Sequence, residues 1–279
     1  MAKSRMPWPE IAGRQPAVSQ MLDVGARHIV DFPLVVLALS LLVQWLAAWL
    51  ADAFRSRMRP LKELEREDYG IVLTASLTLL GLIIAFSFSM AVSRYDQRKN
   101  YEEEEANAIG TEYVRAELLP AADATVVRAK LKEYLDQRIS WYSRTDEQRL
   151  REVDARTAGL QSELWGAIRG QAVAQPTPVM ALVVSGMNDV LNTQGYTQAA
   201  WWNRIPPAAW LLMLALAFCS NVLVGMGAKT RGHPMLLLVL PLIVALAFLL
   251  IADIDSPRRG LIAVSPLNLL TLAQSLGPR

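Results

Sequence analysis

The chain has 279 residues, of which 53% are hydrophobic and 19% charged. That is too apolar for an ordinary soluble domain and too charged for a protein lying wholly in lipid. A formal charge of +2 gives no reason to expect a nucleic-acid partner, and a single cysteine excludes an intramolecular disulfide.

Residues 1–32 read as a tail with a short amphipathic lead-in. Pro7, Pro9, Gly13 and Pro16 break any period, and Val18, Met21, Leu22, Gly25 and Ile29 then recur at helical spacing. No apolar core precedes a small-residue cleavage site, so no removed signal peptide is expected. A first membrane span is expected over 33–51, with Gln44 its one strongly polar residue and Trp45 and Trp49 toward its end. A basic connection follows, broken by Pro60. From Ile71 to Val92 there are then 22 residues without a charge, enough to cross a hydrocarbon core of about 30 Å. Arg94, Asp96, Arg98, Lys99 and the run Glu102, Glu103, Glu104 and Glu105 come next without a proline. Gly110 alone is too weak to stop a helix. One rod leaving the membrane and continuing to about Leu118 is therefore expected.

Residues 95–207 read as a helical extramembrane module, with 13 Lys and Arg against 16 Asp and Glu. Val127, Leu131, Tyr134, Leu135, Ile139 and Tyr142 give one apolar stripe. A capping box of Thr145 and Gln148 is expected to start the next helix, striped by Leu150, Val153, Thr157, Leu160, Leu164 and Ile168. Thr177 and Pro178 suit the N-cap and first position of a third helix. That helix carries Val179, Leu182, Val183, Met187, Val190 and Leu191. Two further spans are expected over 208–226 and 235–252, the latter kinked by Pro241. Residues 253–279 close the chain as a tail. The fold class is thus all-α, with four transmembrane helices and a helical soluble module inserted between the second and third.

Short turns carry Arg55, Arg57, Arg59, Lys62, Arg66, Lys229 and Arg231, which favours those turns in the cytoplasm and the module in the periplasm of a bacterial inner membrane. Arg94, Arg98 and Lys99 pull the other way. The chemistry of an enzyme is missing: there is no His, Cys and acid arrangement, no phosphate-cradling loop and no metal-ligand spacing. His28 and His233 are isolated, and Cys219 inside an apolar run is expected to be a buried inert thiol. No catalytic residue, metal or cofactor is therefore expected.

The stretch LLGLIIAFSFSMAVSRYDQRKNYEEEEANAIGTEY (79–113) resembles the second membrane helix of bacterial bestrophins, in which an apolar helix runs into a Ser-Arg-aromatic sequence. The wider pattern resembles the bacterial bestrophin-like family of integral membrane proteins: the basic turn RSRMRP, the entry NRIPP and the exit DIDSPRRGLIAVSP. Bestrophins are pentameric anion channels whose second helices line the pore with apolar residues one turn apart. The resemblance thus implies a homo-oligomer in the lipid bilayer that passes ions, with Thr78, Leu82, Phe86 and Met90 as pore lining, the register open by one turn. Two features depart from bestrophins: Tyr95-Asp96 replaces an aromatic pair, and the module that bestrophins hold in the cytoplasm is placed outside by the charge count.

Plainer readings stand beside these. Thr74, Gly81, Ala85 and Ser89 share a face whose small residues suit close helix packing. Glu102 to Glu105 would form an acidic ring in an oligomer, or be a solvated turn. Asp253 and Asp255 suit ion pairs with Arg258, Arg259 or Arg94, and Asn107 and Thr111 suit hydrogen bonds between helices. The alternative to a channel is a non-conducting membrane sensor or scaffold acting through the module.

Overall fold

The computed structural model describes residues 30–55, 63–143, 146–227 and 236–277. The amphipathic lead-in, Thr145 and most of the two basic turns lie outside the described residues. Within them the secondary structure is helical and contains no strand. Helix α1 spans Pro33–Arg55, α2 Glu63–Arg115, α3 Ala121–Tyr142, α4 Glu147–Ala174, α5 Pro178–Trp202, α6 Pro207–Gly227, α7 Leu236–Asp255 and α8 Leu267–Ser275. Four segments are long and apolar enough to cross a membrane: Pro33–Arg55, Glu67–Leu118, Pro178–Gly227 and Leu238–Asp255.

Helix α2 is 53 residues long and ends in a 3-10 turn over Ala116–Leu118. At about 1.5 Å per residue it measures roughly 80 Å, more than twice the thickness of a hydrocarbon core. The expected rod is therefore present. Its charged half continues the apolar half in one helix, and Gly110, packed close to Leu272, does not interrupt it.

Two cores form along this rod. Around its apolar half, α1, α6 and α7 pack with Leu80, Ala91, Met213, Ala217, Val244, Phe248 and Ile251 buried among them. Gln44, the polar residue of the first span, is buried and accepts a hydrogen bond from Asn221 Nδ2 at 3.1 Å. That bond satisfies a polar atom that would otherwise lie in an apolar setting. Beside it a Cβ on Gly225 would lie 2.2 Å from the Ala48 carbonyl oxygen, so α1 and α6 approach as closely as only glycine permits.

The second core surrounds the charged half. Ile109 of α2, Val127 and Leu131 of α3, Leu160, Leu164 and Ile168 of α4, and Val183, Met187 and Val190 of α5 are all buried. Each such side chain stabilises the fold by about 1.5–3 kcal/mol on leaving water. Tyr95 packs against both cores. The C-terminal segment belongs here too: α8 lies on α2 and α3, with Leu269 fully buried, so it is an element of the bundle rather than a tail.

Local expectations are met unevenly. Thr177 accepts from Met180 N at 3.1 Å with Pro178 at the first helical turn. Helix α4 is instead capped by Asp146, whose Oδ1 accepts from Arg149 N at 2.8 Å. A carboxylate there also complements the helix dipole. Val179 and Leu182 are exposed, because the buried stripe of α5 runs through Met180, Val183, Met187 and Val190. Cys219 is exposed as well. Apolarity in a membrane helix marks contact with lipid as readily as burial, so the expectation of a buried thiol does not hold.

Candidate functional site: the two faces of the long helix

Side chains three and four apart share a helix face, and α2 is divided by that rule along its whole length. One face is buried turn after turn through Leu80, Ser87, Ala91, Arg98, Glu102, Glu105, Ile109, Glu112 and Ala116. The opposite face is left exposed among the described residues, with a cavity against α5 along its far end. Thr78, Leu82, Phe86, Ser89, Ser93, Asp96, Asn100, Glu104, Asn107, Thr111, Val114 and Leu118 are all exposed. Leu82 is 48% exposed and Phe86 62%. The open face is thus apolar through Phe86 and polar from Ser89 onward for about six turns.

The structure locates each residue singled out above. Thr78, Leu82 and Phe86 lie on the open face, and Met90 is half-buried, turned toward Arg94. The Thr78 hydroxyl donates to the Thr74 carbonyl at 2.8 Å, so the only polar side chain among the three is internally satisfied. Thr74, Gly81, Ala85 and Ser89 are exposed too, and nothing lies within 4 Å of where a Gly81 Cβ would sit. Among the described residues, these small side chains stand exposed rather than packed into the chain's own core.

The four consecutive glutamates part company. Glu103 and Glu104 are exposed, whereas Glu102 and Glu105 are buried in the bundle. The Glu102 carboxylate accepts from Asn268 Nδ2 at 2.6 Å and Leu269 N at 3.0 Å, fixing the start of α8. Glu105 accepts from both Arg138 Nε and Arg138 Nη2, and from Thr197 Oγ1 at 3.1 Å. Nearby charge and burial push the Tyr134 hydroxyl pKa up, burial being the larger cause.

The exit from α7 is built differently from the expected ion pairs. The Asp253 carboxylate accepts from Leu261 N at 2.7 Å and Ile262 N at 2.8 Å, and a Gly260 Cβ would lie 2.2 Å from the Asp253 carbonyl oxygen. The sequence DIDSPRRG therefore closes a tight turn on its own carboxylate. Asp255 accepts from Ile205 N at 3.2 Å, tying that turn to the entry of α6. Arg258 stacks on Trp141 and Trp201 and donates to the Trp141 carbonyl at 2.8 Å, Arg259 lies over Phe32, and Arg94 donates to Asn203 Oδ1 at 2.8 Å. Backbone amides and aromatic faces take the places assigned to salt bridges.

Arg98, which sequence reasoning passed over, is the pin of this junction. Fully buried, it donates to the carbonyls of Ile254 at 3.3 Å and Asp255 at 3.4 Å, the last of α7. A cation there offsets the negative end of the helix dipole. Burial lowers its pKa to about 10, opposed by the nearby Asp255 carboxylate. Asn107 and Thr111, expected to bond between helices, instead line an open cavity against α5.

These features define an all-helical integral membrane protein arranged around one long helix that extends from the membrane half into the second core. The Bestrophin-like domain family matches residues 38–269, and the chain belongs to that family. Its fold is similar to that of a bacterial bestrophin homologue from Klebsiella pneumoniae. The crystal structure of that protein phased by Zn-SAD gives a TM-score of 0.57 at 16% identity, covering 86% of this chain and 98% of the other. Two point-mutant structures give 0.59 at 15% identity, covering 88% and 97%, and 0.57 at 16%, covering 85% and 98%. No curated protein sequence matches the chain.

Proposed function

We propose that copies of this chain assemble around α2, with the open face of that helix turned to a central axis and lining an ion conduit. The observation that carries this reading is the exposed face itself, continuous from Thr78 to Leu118 on a helix whose opposite face is fully packed. Family membership supports it, since bestrophins, as the sequence resemblance implies, line their pores with the second helix. Thr78, Leu82, Phe86 and Met90 then form an apolar neck, which gates by dewetting because it offers water no hydrogen bonds. Glu103 and Glu104 supply the acidic ring, with Glu102 and Glu105 behind it as its structural support. Thr74, Gly81, Ala85 and Ser89 provide the close contact between neighbouring copies.

The experiment is ion flux from liposomes holding wild-type protein or a Leu82→Ala, Phe86→Ala double variant, with folding checked separately. Widening and wetting the neck raises flux. Folded protein that is monomeric and silent in both forms supports the sensor or scaffold reading instead.

The same reading places the bundle around the charged half of α2 in the periplasm of a bacterial inner membrane, on the strength of the seven Lys and Arg in the short turns. Membrane-impermeant thiol labelling of Lys62→Cys and Arg151→Cys in intact cells tests it. Labelling at 151 alone fits; labelling at 62 alone reverses the orientation, and labelling at both overturns the four-span topology.

A further inference from the structure

A cavity of about 430 Å³ opens between the open face of α2 and helix α5, lined by charged side chains from both helices. The Arg115 guanidinium lines it and interacts electrostatically with Glu112, without a direct hydrogen bond to that carboxyl group. Asp189 lines it from α5. Beside the lining residue Gly186 lies Glu112, fully buried, with neither carboxyl oxygen hydrogen-bonded among the described residues.

Gly186 makes this arrangement possible. A Cβ on Gly186 would sit 2.0 Å from Glu112 Oε2 and 2.5 Å from Arg115 Nη1, so the missing side chain is the space into which both charged groups reach. A buried carboxyl group with no hydrogen-bond partner is costly, and retaining one beside a guanidinium and a second acidic side chain demands an explanation. The charges around Glu112 are Arg115 on its own helix and Asp189 on the facing one. Thr111 and Asn192 add neutral hydrogen-bonding groups to the cavity.

The geometry points to a binding site for a small zwitterion carrying an ammonium and a carboxylate a few bonds apart, of amino-acid size. The ligand's carboxylate takes Arg115, as a fork of two N–H donors. Its ammonium takes Glu112 and Asp189. Drawing the guanidinium toward the ligand uncovers the Glu112 carboxylate behind it. The volume is in the range of small-molecule pockets. The inference goes beyond the channel reading and stands without it, because binding is measured on the protein whether or not it conducts.

The test uses three probes of similar size and different charge: β-alanine, ethylammonium and propionate. Each is titrated calorimetrically into the full-length protein in detergent. β-Alanine is expected to bind roughly tenfold or more tightly than either of the others, as expected when each lost group forfeits a charge-assisted hydrogen bond. Arg115→Gln should erase its advantage over ethylammonium, and Glu112→Gln its advantage over propionate. Because burial keeps the Glu112 carboxyl protonated to about pH 8, ammonium binding expels a proton. Measured in two buffers of different ionisation enthalpy, that proton release should appear in wild type and vanish in Glu112→Gln. Should Glu112→Gln fail to fold, Asp189→Asn at the exposed edge must weaken β-alanine by a similar factor. No binding by any probe, equal binding by all three, or β-alanine binding unaffected by these changes overturns the assignment.

Discussion

The Glu105 carboxylate and the Arg138 guanidinium form a two-bond ion pair with no solvent exposure on either side chain, joining α2 to α3 at the centre of the second core. Their mutual attraction offsets a desolvation cost of several kcal/mol per ion. Arg138 also stacks on Trp141, and the Glu105 charge raises the pKa of its guanidinium although burial alone would lower it.

Removing one partner should therefore cost far more than removing both. Glu105→Gln leaves a buried cation without a counter-charge and is expected to destabilise the protein by about 3–5 kcal/mol. Adding Arg138→Met should recover much of that loss. Denaturant unfolding of the two single variants and the double variant checks it. Additive losses would mean that the two side chains do not act as a pair.

Glu112 makes stability depend on pH in the opposite direction from a paired carboxylate. Burial raises its folded pKa from 4.5 to about 8, with Arg115 opposing and Asp189 reinforcing the rise. The folded protein then holds a proton that the unfolded chain releases, so this contribution is intact at low pH and lost as pH climbs from about 4.5 to 8. The slope is at most about 1.4 kcal/mol per pH unit. Glu112→Gln should flatten this part of the profile and be the more stable form above pH 8. Identical profiles for the two proteins would show that Glu112 ionises freely in the folded state.

Gly225 and Gly81 offer a contrast between packing within the chain and packing between copies. Gly225→Ala drives a methyl into the Ala48 carbonyl and the Ala51 Cβ, and should cost about 1–3 kcal/mol. A Gly81→Ala methyl meets nothing within 4 Å among the described residues. The substitution should leave monomer stability unchanged or raise it by up to about 1 kcal/mol through helix propensity, and weaken assembly if the small-residue face joins neighbouring copies. Thermal unfolding in detergent and the mass of the detergent complex separate the two effects. Gly81→Ala with unaltered mass would remove that face from the interface.

The spans and the rod were legible because each rests on a long unbroken pattern: 22 uncharged residues, then more than twenty with one glycine and no proline. The stripes of α3 and α4 were legible for the same reason. Chemistry buried inside the bundle was harder to see. Four glutamates in a row look like a solvated turn, and only the spacing of Glu102, Glu105, Ile109, Glu112 and Ala116 at three and four marks one buried face. Arg98 falls on that spacing, but its partners and those of Arg138 could not be read from sequence, since they come from 156 and 33 residues away. Helix α8 is nine residues long and was lost among the features of a tail. Cys219 shows the converse error, because a lipid-facing helix surface and a packed one have the same composition.

The claim on which the functional account turns is that the open face of α2 borders water in an assembled conduit. Phe86→Cys in a Cys219→Ser background places one thiol on that face and removes the exposed native one. Liposomes carrying this variant are treated with a charged, water-soluble thiol reagent while ion flux is followed, and the extent of modification is read by mass spectrometry. The account predicts that the reagent reaches the thiol and changes the flux in step with modification. Flux that is unchanged after complete modification, or a folded protein that passes no ions before or after it, would contradict the account.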